Sequence, residues 1–146
     1  MPSQAHIYGP VGMAYRVQTG ELFVSDSNSR IRVIRNNGSV ETILNGAGLA
    51  GYSDSVGLSA IFNRPNHMSL DGHGTILYVA DQLNNCIRAV NLMTLSVNTI
   101  TGDEYALLND TNQSSSDALD SDAIFQSSRQ MIDLNQPFGV AFYLES

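Results

Sequence analysis

The sequence has little that would cross-link a chain or anchor it in a membrane. Its 146 residues include a single cysteine, Cys86, so no disulfide can form within the chain, and a thiol inside an apolar strand candidate is expected to be buried. No apolar run approaches the roughly eighteen residues of a membrane-spanning helix, and the start of the sequence lacks the pattern of a secretory signal. The sequence therefore leaves the location of the protein unknown.

Positive charge is scarce as well. The chain has seven basic residues, all of them arginine, against fourteen acidic residues, which gives a formal net charge of −7. A surface of this kind repels phosphate backbones and anionic lipid. Arg30, Arg32 and Arg35 are the nearest approach to a basic patch, but Arg35 falls on the opposite strand face from the other two. We therefore expect no nucleic-acid partner and no membrane insertion.

What the sequence does contain is a repeat. The segment Leu22–Ile34 returns as Leu77–Val90, and Asp26 and Asp81 within these segments are 55 positions apart. The spacing grows to 63 between two copies of an Ala-Ile-Phe motif further along the chain. The extra residues fall between apolar runs, where a folded chain tolerates insertions.

Each copy holds four short apolar runs separated by turn residues. In the first copy the runs are Val11–Ala14, Leu22–Val24, Ile31–Ile34 and Val40–Leu44. In the second copy they are Pro65–Leu70, Ile76–Val79, Ile87–Leu92 and Val97–Ile100. A turn is predicted from Asp26 onward, because Asp and Asn side chains accept backbone N–H groups. Alternation in the fourth run of the first copy places its Val, Thr and Leu on one face and its Glu and Ile on the other. Four strands joined by tight turns predict an antiparallel meander.

These runs divide residues 1–146, taken as one domain, into five stretches. The first repeat unit covers about residues 9–46, a Gly-rich and Ser-rich connection covers 47–64, and the second unit covers about 65–102. An acidic insertion follows at 103–136, and residues 137–146 begin the unit a third time. A hydrophobic anchor in the first connection, Phe62, is expected to be pinned onto the sheet by a short helical turn.

The ordered set of motifs resembles NHL repeats, the blades of NHL-type β-propellers. Each unit has a Pro-x-Gly-type opening, a Tyr/Phe-Val-x-Asp strand, Ile-Arg and Val-x-Thr-Ile, followed by an Ala-x-Phe motif. The likeness runs from Tyr8 to Tyr143, with two departures: His67 replaces a Gly of the other copies, and the last connection is lengthened. The resemblance implies an all-β fold, a partial β-propeller of two four-stranded antiparallel blades plus one extra strand.

Two blades cannot close a ring, because NHL-type propellers resemble closed rings of about six units. Stacked blades are apolar on both faces, so two large apolar faces would remain open. The missing blades come either from a longer chain or from self-association. The first is favoured, since the extra strand would be surplus in an assembly of identical two-blade copies.

His67 is the candidate binding residue, because the innermost strand of each blade lines the central channel. Some NHL-type propellers resemble lyases whose channel histidines hold zinc, but a catalytic zinc site takes three protein ligands and the matching positions, Gly12 and Gly139, supply none. An acidic stretch, Asp117 to Asp122, lacks the Gly and terminal Glu of a calcium loop. We therefore assign no catalytic residue, no metal ligand and no cofactor, with zinc and calcium as alternatives.

The residues that recur are predicted to be structural. A side chain needed in every blade performs a task that every blade has, such as binding the backbone of the turn after its strand. The arginines are expected to pair with these carboxylates or to cover the blade edge. The recurring positions are Asp26, Asp81, Arg32, Arg88, Pro10, Pro65 and Pro137.

Two functions are consistent with this sequence. The resemblance implies a binding scaffold, whose loops contact a protein partner that the sequence does not identify. The alternative is a fragment of a propeller enzyme, a metal-dependent lyase or hydrolase, with most of its site residues outside this chain. No Ser-His-Asp order, phosphate loop or paired-cysteine motif favours nucleophilic or nucleotide chemistry.

Overall fold

A computed structural model describes residues 6–102, 123–124 and 140–141. Nearly all regular structure within these ranges is strand, with two single-turn 3₁₀ helices at Gly57–Ser59 and Gln82–Asn84. The strands are β1 (Pro10–Arg16), β2 (Glu21–Asp26), β3 (Ile31–Ile34), β4 (Val40–Leu44), β5 (Pro65–Leu70), β6 (Ile76–Asp81), β7 (Cys86–Asn91), β8 (Val97–Gly102), β9 (Ala123–Ile124) and β10 (Val140–Ala141).

The strands form two antiparallel sheets of four, in the orders β1-β2-β3-β4 and β5-β6-β7-β8. Within each four-stranded sheet, strands that follow one another in sequence are therefore paired with one another, as tight turns require. The register is the same in both sheets, since Val24 pairs with Arg32 in the first and Val79 pairs with Arg88 in the second. The predicted all-β architecture, a partial propeller with two four-stranded blades, is confirmed. Blade 1 is the sheet β1–β4 and blade 2 is the sheet β5–β8.

Strands β2 and β6 extend further than the apolar runs predicted. Asp26, which was expected to begin a turn, is the last residue of β2, and Asp81 is the last residue of β6. Both are fully buried. Each is paired in register with the proline that opens the innermost strand of its own blade, Pro10 or Pro65. A buried carboxylate is tolerated here because neighbouring N–H groups bind it.

The fourth strand also departs from simple alternation. A register shift lies between Ile31 and Arg32, where β3 pairs with β4. Ile43 and Leu44, expected on opposite faces, are both buried. An irregularity of this kind inserts a residue into one strand and turns the following side chains, so that neighbours in sequence both reach the core.

Blade 1 packs on blade 2 through their innermost strands, β1 and β5. Gly12 allows this close approach, because a Cβ at that position would lie 2.1 Å from the backbone oxygen of Asn66. The Ser25 hydroxyl, which accepts a hydrogen bond from the Gly12 N–H at 2.9 Å, donates one to the same Asn66 oxygen at 3.0 Å. One apolar cluster joins the two blades, with Phe23 from blade 1 and Met68 from blade 2 among its members.

The connection between the blades is held to both of them. Phe62 is fully buried, and the 3₁₀ turn Gly57–Ser59 precedes it. Beyond blade 2, the backbone of β10 lies against β5 and pairs in parallel with β9. The rest of the predicted acidic insertion and of the third unit, Pro137 included, lies outside the described residues. Within the described ranges, no helix has the length and apolar character needed to cross a membrane.

Candidate functional site

A polar constellation among the described residues is centred on the buried pair Asp81 and Arg88 in blade 2. A distance of 2.8 Å separates Arg88 Nη1 from Asp81 Oδ2, and neither side chain is exposed to solvent. Asp81 also accepts hydrogen bonds from the Asn63 N–H and from the Asn84 side-chain amide, both at 2.8 Å. One carboxylate thereby joins β6, the turn that follows it and the entry to β5.

Arg88 connects this pair to the connection before blade 2. Its Nε and Nη2 donate to Asp54 Oδ1 at 3.0 and 2.6 Å, Nη2 also donates to the Ser53 carbonyl, and Nη1 donates to the Ile61 carbonyl. A guanidinium has five N–H groups, so each of them has an acceptor here. The guanidinium carbon also lies over the rings of Tyr52 and Phe62, at 4.6 and 4.7 Å from their centroids.

Burial raises the pKa values of two groups in and beside this network, the Asp81 carboxyl and the Cys86 thiol. Desolvation raises the pKa of Asp81 to about 6, despite the hydrogen bonds and the Arg88 charge that favour the ionised form. Desolvation likewise raises the pKa of the Cys86 thiol to about 12, and the nearby Asp81 carboxylate adds to this rise. Because a nucleophilic cysteine must be a thiolate, Cys86 is a small apolar core residue and not a reactive group.

The equivalent pair in blade 1, Asp26 and Arg32, is less completely bonded. Its closest approach, Arg32 Nη1 to Asp26 Oδ2, is 3.7 Å. Asp26 Oδ1 accepts the N–H groups of Asn28 and Arg30, and Arg32 Nη1 donates to the His6 carbonyl at 3.0 Å. Among the described residues, no hydrogen-bond partner reaches Arg32 Nε or Asp26 Oδ2, although both atoms are buried.

His67 lies in the middle of β5 and is exposed. It occupies the repeat position of Gly12, the glycine that admits Asn66 of the neighbouring blade. His6 lies before β1, with its ring 6.3 Å from that of Tyr8. The structure brings neither histidine into a metal-binding group, since no cluster of three or more His, Cys, Asp or Glu suited to a metal is present in residues 6–102. The acidic stretch Asp117 to Asp122 lies outside the described residues.

Two polar groups were not identified from the sequence. Asp54 has a repeat signal that could have revealed it, because Ser53-Asp54 recurs as Ser116-Asp117 at the spacing of 63 that also relates the two Ala-Ile-Phe motifs. Glu21 has no such signal. It accepts hydrogen bonds from Thr19 in the preceding turn and from Arg16 of β1, and it contacts Arg35. Arg35 follows β3 and comes close only when β2 and β3 pair.

The sequence was compared with family models and with curated proteins. No family model matches the chain. The sequence is similar to NHL repeat-containing protein 2 of Bos taurus, with 33% identity over 97 residues. The match covers 64% of this chain and only 13% of that protein. The predicted resemblance to NHL repeats is confirmed, and the chain corresponds to a small part of the relative that it matches.

Two solved structures resemble the chain. One is a structural-genomics protein of unknown function from Bacteroides thetaiotaomicron, with a TM-score of 0.57 and 26% identity, covering 64% of this chain and 24% of that chain. The other is a streptogramin B lyase, with a TM-score of 0.46 and 16% identity, covering 68% of this chain and 28% of that one. A likeness as weak as the second gives no information about chemistry.

Proposed function

We propose that the chain is part of an NHL-type propeller that acts as a binding scaffold, with loops that contact a protein partner. The observation that supports this role is that recurring charged residues of the repeat bind the protein's own backbone and turns. Asp81 and Arg88 are buried and bind backbone and turn groups of their own blade and connection. Groups held in this way stabilise loops and are not open to a substrate.

The loops at one end of the sheets offer a contact surface. This end, called the connection end, contains the turns after β2 and β6 and the start of the connection. Leu49 is 65% exposed and Leu83 is 42% exposed there, and the Asn84 side chain binds the Gly51 carbonyl at 2.8 Å. Apolar side chains on rigidly held loops are suitable anchors for a protein interface.

The scaffold proposal requires further blades to complete the propeller. We take these blades to belong to a longer chain, with self-association as the alternative.

The scaffold proposal also requires no bound metal. Metal analysis of the purified chain by mass spectrometry therefore distinguishes the scaffold from an enzyme fragment. Stoichiometric zinc or calcium that is lost in a His67→Ala variant would overturn the scaffold proposal, whereas metal at trace level in both proteins is expected.

Partner capture tests the contact surface itself. A chain carrying Leu49→Ser together with Leu83→Ser is expected to lose at least about 90% of a partner captured by the unaltered chain, because apolar anchors dominate interface energy. Met93→Ser is the matched control, since Met93 is 79% exposed in the turn after β7, at the opposite end of the sheet. Equal capture by the double variant and the unaltered chain would contradict binding at the connection end.

A further inference from the structure

The two buried Asp–Arg pairs differ in the carboxylate that binds the guanidinium from outside its own blade. In blade 2, Asp54 of the preceding connection binds Arg88 through Nε and Nη2. In blade 1, the Arg32 side chain is only 8% exposed, yet its Nε has no acceptor among the described residues. A buried guanidinium N–H without an acceptor is costly, and a carboxylate is the strongest acceptor for it.

The outer edge of blade 1 has the groups that hold the Asp54 segment in blade 2. On β8, the Val97 N–H donates to the Ser55 carbonyl at 2.9 Å and the Thr99 N–H donates to Asp54 Oδ2 at 2.8 Å. The corresponding residues on β4 are Val40 and Thr42, which pair with Ile34 and Arg32 in the register that Val97 and Thr99 adopt with Val90 and Arg88. The same register directs the same backbone N–H groups outward.

The matching valines of the two outer strands, Val97 on β8 and Val40 on β4, differ in burial. Val97, which the connection covers, is 2% exposed, whereas Val40 is only partly buried. The phenol of Tyr52 bonds Thr99 at 2.7 Å, and its ring lies against the Arg88 guanidinium. An extended segment with Tyr, Ser and Asp therefore matches this kind of edge in charge, in hydrogen bonding and in apolar cover.

We propose that blade 1 has an acceptor site for an extended Ser-Asp segment from a further propeller blade, with Arg32 binding the aspartate as Arg88 binds Asp54. The inference rests on the proposed role as part of a larger propeller. Residues 1–5 precede the described residues of blade 1 and contain no Asp or Glu, so they cannot supply the carboxylate. A second copy is not the source we propose, because its Asp54 is already bound to its own Arg88 and Thr99.

A peptide supplied in trans tests this site on the full chain. The probe is residues 48–57 of this sequence with blocked termini, which contains Tyr52 and Asp54. Binding is followed by the Arg32 Nε–H resonance in NMR titrations. We expect this resonance to shift on saturation, and we expect binding to weaken about tenfold or more for the Asp54→Asn peptide, as loss of a charge partner at a buried site requires.

Protein variants provide the controls. Arg32→Gln is expected to abolish binding of the peptide, and Arg30→Gln, which removes an equal charge nearby, is expected to leave it within about twofold. Equal affinity of the Asp and Asn peptides, or no binding by the unaltered chain, would overturn the acceptor site. So would an Arg32 Nε–H that is already bound, either by a second copy in an oligomer or by another part of the same chain. Loss of this inference alone, with capture still dependent on Leu49 and Leu83, would leave the scaffold proposal in place.

Discussion

At the scale of single residues, blade 2 keeps a pair of opposite charges in its interior by binding both of them completely. Arg88 and Asp81 are both shielded from water and are joined by a direct ion pair. Desolvation of two ions costs several kcal/mol, so such a pair persists only where further hydrogen bonds accompany it. Here the Asp54 carboxylate, the carbonyls of Ser53 and Ile61, and the Asn84 amide provide them. The pair therefore fixes the position of the connection on blade 2.

The raised pKa of Asp81 predicts an unusual pH dependence of stability. Its pKa is about 6 in the folded chain and 3.8 in the ordinary state, so its contribution is fully present below 3.8 and is lost as the pH rises through 6. Lowering the pH from 7.5 to 5 should therefore increase the free energy of unfolding of the unaltered chain, relative to Asp81→Asn, by about 1 kcal/mol. Urea denaturation of both proteins at each pH measures this difference.

The comparison with Asp81→Asn is needed because other carboxylates act in the opposite sense. The pKa of Glu21 is lowered, first by the hydrogen bond from Thr19, so its contribution is lost as the pH falls. This term is common to both proteins and cancels in the difference. A difference that stays constant between pH 7.5 and 5, or that grows as the pH rises, would contradict the assignment of a raised pKa to Asp81.

At the scale of the strands, the packing of β1 on β5 depends on the absence of one side chain. Gly12 has an ordinary backbone conformation, so close approach and not φ explains it. The next residue along the same face is Ala14, which is also small and buried. Two small residues allow the innermost strands of neighbouring blades to come into backbone contact, where wedge-shaped blades are narrowest.

We predict that Gly12→Ala destabilises the chain by about 3 kcal/mol or more, because the added Cβ meets backbone that cannot turn away. Gly51→Ala is the control. Its Cβ would meet only Ile61 Cγ2, at 3.2 Å, and should cost about 1 kcal/mol or less. Chemical denaturation followed by circular dichroism gives both values. A similar cost for the two variants would show that the β1–β5 approach is not a tight backbone contact.

The sequence could predict those features of the strands that depend on residues close together in the chain. The meanders follow from short apolar runs and turn residues, and the bounds of β3, β4 and β5 agree with the predicted runs. The register shift at Ile31 and the burial of Ile43 beside Leu44 could not be predicted, since they arise from pairing between strands. Asp54 is an intermediate case. The recurrence of Ser53-Asp54 as Ser116-Asp117 could have marked the position, but its partner Arg88 is 34 residues away, and only the fold shows their contact.

At the scale of the whole molecule, the two blades differ in what covers them. In β5, Asn66 and Met68 are 3% and 6% exposed, because blade 1 lies over them. The repeat-equivalent residues of β1, Val11 and Met13, are 43% and 63% exposed. The sequence predicts two open apolar faces, and the exposed residues of β1 form one apolar face on blade 1. This face comprises Val11, Met13, Tyr15 and Val17.

An apolar face of this kind should bind hydrophobic dye and promote self-association, because water is released when it is covered. We predict that Met13→Gln combined with Tyr15→Gln reduces both effects severalfold and changes the free energy of unfolding by about 0.5 kcal/mol or less, as for other exposed positions. Dye fluorescence and sedimentation velocity measure the two effects. Met93→Gln removes a side chain that is 79% exposed in a distant turn, and it should change neither. If the unaltered chain were a monomer that binds no dye, the face would not be open in solution, and the need for further blades would disappear with it.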